Sequence, residues 1–225
     1  RKQPGYEVKT FNVPFPLGDI QENITVTTNR AFKPSKEQII NHAFQFHSRG
    51  DLPQAAKYYQ YFIDQGFKDH RVFSNYGIIL KNLGNLLEAE LCQRKAIEIN
   101  PNYPSAHCNL GNILRDNGNL KEAEISIRKA IDLQPDMAIA YYNLGITHNL
   151  MGDPYKAIIA FKKAIKYAPD HLESIFNLGS SLINIRKNEE GKAYLRNILD
   201  IKLSKDRNIN QNNLLDIQTM AINKL

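Results

Sequence analysis

A glycine recurs every 34 residues through the middle of this chain, and this fixed interval restricts the fold more than any other property of the sequence. Two alanine columns, one proline column and a second glycine column keep the same interval. The five columns are Gly77, Gly111, Gly145 and Gly179; Ala89, Ala123 and Ala157; Ala96, Ala130 and Ala164; Pro101, Pro135 and Pro169; and Gly84, Gly118 and Gly152. An internal period of this length indicates an array of repeats, each of which packs only on its neighbours.

The spacing inside one unit predicts two helices joined by a short turn. Apolar side chains at Phe73, Tyr76 and Leu80 lie three and four residues apart, which marks one face of a first helix. Gly84 predicts the end of that helix, and the residues from Leu87 to Ile99 predict a second one. The proline column then ends the second helix, because proline disfavours helical backbone at the preceding residue. Glycine inside a helix costs about 1 kcal/mol relative to alanine, so we expect it to permit a close approach of the second helix.

These columns resemble the tetratricopeptide repeat. When position 1 of the repeat is placed at Lys36, His70, Pro104, Ala138 and Leu172, the glycine falls at position 8, the alanines at positions 20 and 27, and the proline at position 32. The resemblance implies an all-α fold, a right-handed α-α superhelix of about five helix-turn-helix repeats. The implied repeats are 36–69, 70–103, 104–137, 138–171 and 172–205. The two end repeats depart most from the pattern, as expected of units that have a neighbour on one side only.

Two segments fall outside the repeats. Residues 1–35 contain four prolines, and residues with alternating polarity occupy 6–11 and 24–27. This N-terminal arm is either extended or a short β-hairpin folded on the first repeat. The apolar stripe in residues 206–225 predicts a C-terminal capping helix, or the first helix of a further unit.

Composition excludes several classes of function. The net charge is +6 and the pI about 9.2, but both signs are mixed along the repeats instead of forming the dense basic stripe that nucleic-acid binding requires. No apolar run is long enough to span a membrane, and no secretory signal is visible. The two cysteines, Cys92 and Cys108, lie at unrelated repeat positions, which predicts reduced thiols and a cytoplasmic location.

Motifs that carry chemistry are absent from the sequence. It contains no glycine-rich phosphate loop, no HExxH and no paired-cysteine metal spacing. Carboxylates such as Glu88 and Glu122 fall at surface positions of second helices, where solvation explains them. We therefore predict no catalytic residue, no metal ligand and no cofactor, and the chain is not expected to be an enzyme.

A column of asparagines is not explained by packing within the hairpin. Asn75, Asn109, Asn143 and Asn177 occupy position 6 of successive first helices, on the stripe opposite to the packed face. In tetratricopeptide arrays this stripe lines the concave groove. Helices packed about 8–10 Å apart would present one asparagine to about every third residue of an extended peptide, which advances about 3.3 Å per residue. The alternative is that these asparagines bond a neighbouring helix.

An amide side chain both donates and accepts, so a row of amides predicts capture of a peptide through its backbone. The predicted groove also includes Asn112, Asn149, Lys81, Arg115 and Tyr142. A different tetratricopeptide binding mode, the clamp for chaperone C-terminal carboxylates, needs lysine at position 5. The residues there are Ser74, Cys108, Tyr142 and Phe176, so that clamp is not predicted.

The resemblance implies a protein that binds other proteins or peptides. The asparagine column is similar to the one in the repeat arm of the O-linked N-acetylglucosamine transferase, which holds extended substrates. The first hypothesis is therefore a non-catalytic scaffold for extended polypeptide segments. The sequence also resembles cyanobacterial repeat proteins, which implies as a second hypothesis the substrate-recruiting N-terminal arm of a larger glycosyltransferase- or sulfotransferase-like enzyme. A third is an assembly role at the periphery of a membrane complex.

Overall fold

The structure, a computed structural model, describes residues 34–205, with side chains to residue 198. These residues form ten helices and no strand. The first helices of the five pairs are α1 Lys36–Ser48, α3 His70–Asn82, α5 Pro104–Asp116, α7 Ala138–Leu150 and α9 Leu172–Asn184. The second helices are α2 Leu52–Asp64, α4 Leu86–Ile99, α6 Leu120–Leu133, α8 Pro154–Tyr167 and α10 Asn188–Lys205. The all-α prediction is confirmed over this range, whereas the predicted capping helix and nearly all of the predicted N-terminal arm lie outside it.

Each pair is joined by a turn with one residue in the left-handed region. Gly84, Gly118 and Gly152 have φ of 84°, 84° and 80°, a conformation that costs an L-residue about 1–2 kcal/mol. The residue after each glycine donates its N–H to a carbonyl five residues earlier, as from Asn85 to Leu80 O at 2.9 Å, which closes the helix end. The fifth pair keeps this turn although Arg186, with φ of 66°, replaces the glycine.

The glycines at position 8 bring the two helices of a pair into close contact, as expected. At all four of them a Cβ would lie less than 3.0 Å from an atom of the following second helix. For Gly145 that atom is Cε1 of Phe161, at 2.4 Å, and for Gly111 it is Cγ1 of Ile127, also at 2.4 Å. Ala89 and Ala96 are fully buried, so small residues on both helices permit this approach.

The array bends towards its first helices. α3, α5, α7 and α9 contact one another in succession. Each second helix packs on its own first helix, and α2, α4, α6 and α8 also pack on the first helix of the next pair. In a curved stack, the helices on the inner side lie closer to one another than those on the outer side. The first helices therefore line the concave face, and the second helices form the convex face. The buried apolar side chains form several clusters along the array, as in a solenoid. No helix in the described part of the chain is both long and apolar enough to cross a membrane.

Candidate functional site: the concave face

Two of the asparagines at position 6 connect their repeat to the first helix of the repeat before it. Asn109 Nδ2 donates to Ser74 Oγ at 3.2 Å, and Asn143 Nδ2 donates to Cys108 Sγ at 3.3 Å. Both acceptors occupy position 5 of the preceding first helix, 35 residues earlier. These amides therefore hold neighbouring first helices together, the alternative that the sequence left open.

Asn75 continues this arrangement towards the N-terminus with a different partner. Its Nδ2 donates to the hydroxyl of Tyr59 at 3.3 Å, and that hydroxyl also lies 2.8 Å from Nδ1 of His47. Burial raises the pKa of Tyr59 to about 12, although the bond from Asn75 acts in the opposite direction. The phenol is therefore neutral at physiological pH and acts as a hydrogen-bonding link between α1, α2 and α3.

Asn177 does not connect to the repeat before it. Position 5 of that repeat is the bulky Tyr142, and Asn177 Nδ2 instead donates to Glu173 O in its own helix at 2.8 Å. An asparagine at position 6 thus bonds the previous repeat where position 5 of that repeat is a small residue, as at Ser74 and Cys108. A small residue at position 5 is therefore the sequence signal that predicts these contacts. The presence of asparagine at position 6 of the next repeat does not predict them by itself.

Asn143 differs from the expected groove residue and requires a correction. Its side chain belongs to the core, with 4% exposure. Its Oδ1 accepts a bond from Arg115 Nη1 at 3.4 Å while its Nδ2 is bonded to Cys108. Because both ends of the amide are engaged inside the protein, Asn143 joins repeats and does not offer its amide to a peptide.

The two predicted cations lie on the concave face but have carboxylate partners. Lys81 Nζ lies 2.8 Å from Asp116 Oδ2, and Arg115 Nη2 lies 3.1 Å from Asp116 Oδ1. Partial burial acts to raise the pKa of Asp116, but the bonds from Lys81 and Arg115 hold that pKa below its ordinary value. Arg115 also donates to Asn112 Oδ1 at 3.2 Å. Lys81, Arg115 and Asp116 therefore form a hydrogen-bonded cluster with a net charge of one positive unit.

The C-terminal half of the concave face is more aromatic. The ring of Tyr142 meets the ring of His171 edge-on, with centroids 4.9 Å apart, and lies 6.1 Å from that of Phe161. Burial raises the pKa of Tyr142, so its hydroxyl stays protonated. Asn149 exchanges hydrogen bonds with Ser181 of the next first helix at 3.0 and 3.3 Å. Here Asn149, at position 12, makes the bond to the next first helix that Asn177 does not make.

The nine residues predicted for the groove therefore divide into three groups. Asn75, Asn109, Asn143 and Asn149 bond across helices, whereas Asn112 and Asn177 bond only within their own helix. Lys81 and Arg115 pair with Asp116 and also reach across helices, and Tyr142 packs on aromatic rings of neighbouring elements. Within the residues described, no group of three or more His, Cys, Asp or Glu side chains is arranged to hold a metal ion.

Comparison with known proteins gives the same family from sequence. Residues 102–170 match the model described as the tetratricopeptide repeat, and residues 77–118 match a second model, described as the TPR repeat. No curated protein sequence matches the chain.

Solved structures share the fold at low sequence identity. MamA 41-end from Desulfovibrio magneticus RS-1 is 22% identical, with a TM-score of 0.67 over 78% of this chain and 99% of that one. TTC0263, a thermophilic TPR protein in Thermus thermophilus, is 16% identical, with a TM-score of 0.67 over 84% and 98%. YrrB, described as a TPR protein with an unusual peptide-binding site, is 19% identical, with a TM-score of 0.58 over 74% and 86%. At these identities the similarity shows the fold alone.

Proposed function

Because this chain is a tetratricopeptide-repeat protein, we propose that it is a non-catalytic scaffold that binds extended segments of other polypeptides along its concave face. The observation that carries the proposal is the row of half-buried amides on successive first helices, whose members include Asn109, Asn112 and Asn177. A protein of similar fold, YrrB, is described as having a peptide-binding site. That description supports a binding role for an array of this kind.

The hydrogen bonds suggest which amides a peptide would use. Asn112 and Asn177 are bonded only within their own helices, so they can turn to a ligand without separating two repeats. Asn109 uses its Nδ2 for Ser74, and its Oδ1 has no donor among the described residues. A peptide N–H can therefore bond Asn109, while Asn112 and Asn177 can both donate and accept.

The rest of the face adds contacts of a less directional kind. Tyr142 offers an aromatic surface between Asn109 and Asn177, and Arg115 supplies the positive charge that Asp116 does not neutralise. Binding through the peptide backbone depends little on the ligand's side chains. We therefore expect broad sequence tolerance with a preference for segments that carry acidic and apolar residues.

A double substitution tests this proposal. The probe is a fluorescently labelled polypeptide that stays unfolded after reduction and carboxymethylation, followed by fluorescence anisotropy. Asn112→Ala with Asn177→Ala removes two hydrogen-bonding groups worth about 1 kcal/mol each, so we expect the Kd to rise about tenfold or more. The matched control is Asn197→Ala, an exposed asparagine on the convex side of α10. Unchanged affinity in the double variant, or no binding by the unmodified chain, overturns the proposal.

The recruiting arm of a larger enzyme is the alternative, and it rests on the sequence resemblance alone. The same concave face would serve it. The test is the size of the native protein in its source, measured by immunoblot with antibodies to the repeats. A species much larger than 25.7 kDa supports the alternative. Cytoplasmic location and an association with a membrane complex stay predictions.

A further inference from the structure

The chain contains one asparagine that is followed directly by a glycine. This pair, Asn117 and Gly118, lies in the turn between α5 and α6. At the other turns that have a glycine, the residue before it is Arg49, Leu83 or Met151. Asn117 is exposed, and its side-chain amide makes no hydrogen bond with any described residue. The array therefore presents a free asparagine amide beside a glycine nitrogen at a single junction.

A glycine makes the asparagine before it reactive, because no Cβ shields the backbone nitrogen of the glycine. That nitrogen attacks Cγ of Asn117 and forms a C–N bond. The bond from Cγ to the side-chain nitrogen breaks, and this nitrogen leaves as ammonia with the proton that the Gly118 nitrogen gave up. Water then opens the five-membered succinimide ring. Cleavage at Cγ gives aspartate, whereas cleavage at the backbone carbonyl carbon gives isoaspartate, in which the main chain runs through Cγ.

The folded turn holds the pair in the wrong conformation for this reaction. Ring closure needs Cβ of Asn117 and the nitrogen of Gly118 to be nearly eclipsed about the Cα–C bond. The ψ of Asn117 is 1°, which eclipses that nitrogen with the Asn117 nitrogen instead and turns Cβ away. Gly118 N–H also donates to Arg115 O at 2.9 Å, and Asn119 N–H donates to Leu114 O at 2.8 Å. Rotation into the reactive conformation breaks both bonds, so the turn must open first.

We propose that Asn117 is a site of spontaneous deamidation in this protein, and that opening of the α5–α6 turn sets its rate. The isoaspartate product adds one main-chain atom before Gly118. The two hydrogen bonds that close the turn depend on the spacing of successive main-chain atoms, so they cannot both keep their geometry in that product. Each conversion to isoaspartate thus makes the turn open more readily. The site does not depend on the proposed peptide binding.

Peptide mapping of the full chain by mass spectrometry tests the proposal. Trypsin releases residues 116–121, which contain both Asn117 and Asn119, so the second asparagine is an internal control. The folded chain and a chain unfolded in guanidinium chloride are incubated side by side at mildly alkaline pH. We expect Asn117 to deamidate in both, and at least about tenfold more slowly in the folded chain, which corresponds to an opening free energy of about 1.4 kcal/mol or more.

Two results of this comparison overturn the proposal. Equal rates in the folded and unfolded chains show that the turn does not control the reaction. An Asn117 that stays intact in the folded chain, or an Asn119 that converts first, removes the assignment of the site.

A second asparagine–glycine pair at an equivalent turn is a matched test of the geometry. Leu83 has ψ of 0° and precedes Gly84, whose N–H donates to Lys81 O at 2.9 Å. Leu83 is 57% exposed, so Leu83→Asn leaves the core intact. We expect the introduced asparagine to deamidate as slowly in the folded chain as Asn117 does. Rapid deamidation there would show that this turn geometry gives no protection.

Hydrogen exchange measures the consequence for the turn. The isoaspartate form is separated by chromatography, and its amides at Gly118 and Asn119 should exchange faster than those of the unmodified chain. Asn117→Asp is the control, because it adds a carboxylate and leaves the main chain unchanged, and its exchange should stay close to that of the unmodified chain. Equal protection in the isoaspartate and unmodified forms, or an Asn117→Asp variant that exchanges as fast as the isoaspartate form, contradicts the role of the additional main-chain atom.

Discussion

The position-8 glycines offer the sharpest test of the packing, since the same substitution should have different effects at two of them. At Gly145 a Cβ would lie 2.4, 2.6 and 2.8 Å from three ring atoms of Phe161. That ring is fully buried and cannot swing away. At Gly77 the nearest atom is Nε2 of Gln93 at 2.6 Å, the end of a flexible side chain, and the other two contacts are at 3.1 Å. Gly145→Ala should therefore strain the core more than Gly77→Ala.

The expected size of the effect follows from two opposing contributions. Alanine stabilises a helix by about 1 kcal/mol relative to glycine. Overpacking a core costs about 1–3 kcal/mol, and three ring atoms in conflict place Gly145 near the upper end of that range. We expect Gly145→Ala to lower the free energy of unfolding by about 2 kcal/mol. Gly77→Ala should be close to neutral, because displacing the Gln93 amide gives up its hydrogen bond to Ser74 O, about 1 kcal/mol, and the preference of the helix for alanine offsets that loss.

Urea unfolding followed by circular dichroism measures both variants. Phe161→Leu should relieve the clash, so the double variant with Gly145→Ala should lose less stability than the two single changes added together. If Gly145→Ala is as stable as Gly77→Ala, or if Phe161→Leu gives no relief, the close helix contact is not the reason for glycine at this position.

Three further predictions concern single side chains. Arg186→Gly should stabilise the fifth repeat by about 0.5–1 kcal/mol, since it removes left-handed strain; urea midpoints that fall would contradict this. Burial lowers the pKa of His148, so below about pH 6.5 the unfolded chain takes up protons more readily than the folded chain and stability falls with acid. His148→Leu, which copies Leu114 at the same repeat position, should flatten that pH profile, and an unaltered slope would assign it to other groups. Burial also raises the pKa of Cys108, so its thiol should resist Ellman's reagent until the chain unfolds, and rapid native labelling would show that α5 and α7 open there.

The sequence was sufficient for features that repeat within one hairpin. Helix type, the turn glycines and the close packing at Gly145 all depend on residues a few positions apart or on the facing helix of the same pair. The burial of Asn143 was not predictable in this way, because it depends on how closely α5 and α7 approach and on the small Cys108 in the previous repeat. Asn177 has the same repeat position and residue type, yet Tyr142 before it leads to a different bond. Repeat position alone therefore predicts the fold better than the binding surface.

The bond between Asn143 and Cys108 also bears on how such an array can grow by duplication. The repeat 104–137 supplies a donor, Asn109, to the unit before it and an acceptor, Cys108, to the unit after it. A duplicate of 104–137 would bring both Asn109 and Cys108, so it could be inserted in tandem with both junctions bonded. A duplicate of 138–171 would place Tyr142 before a new asparagine, and that junction would lose its bond. Duplication in the middle of the array thus keeps the position-6 bond at every new junction. Duplication near the C-terminal end creates a junction without that bond.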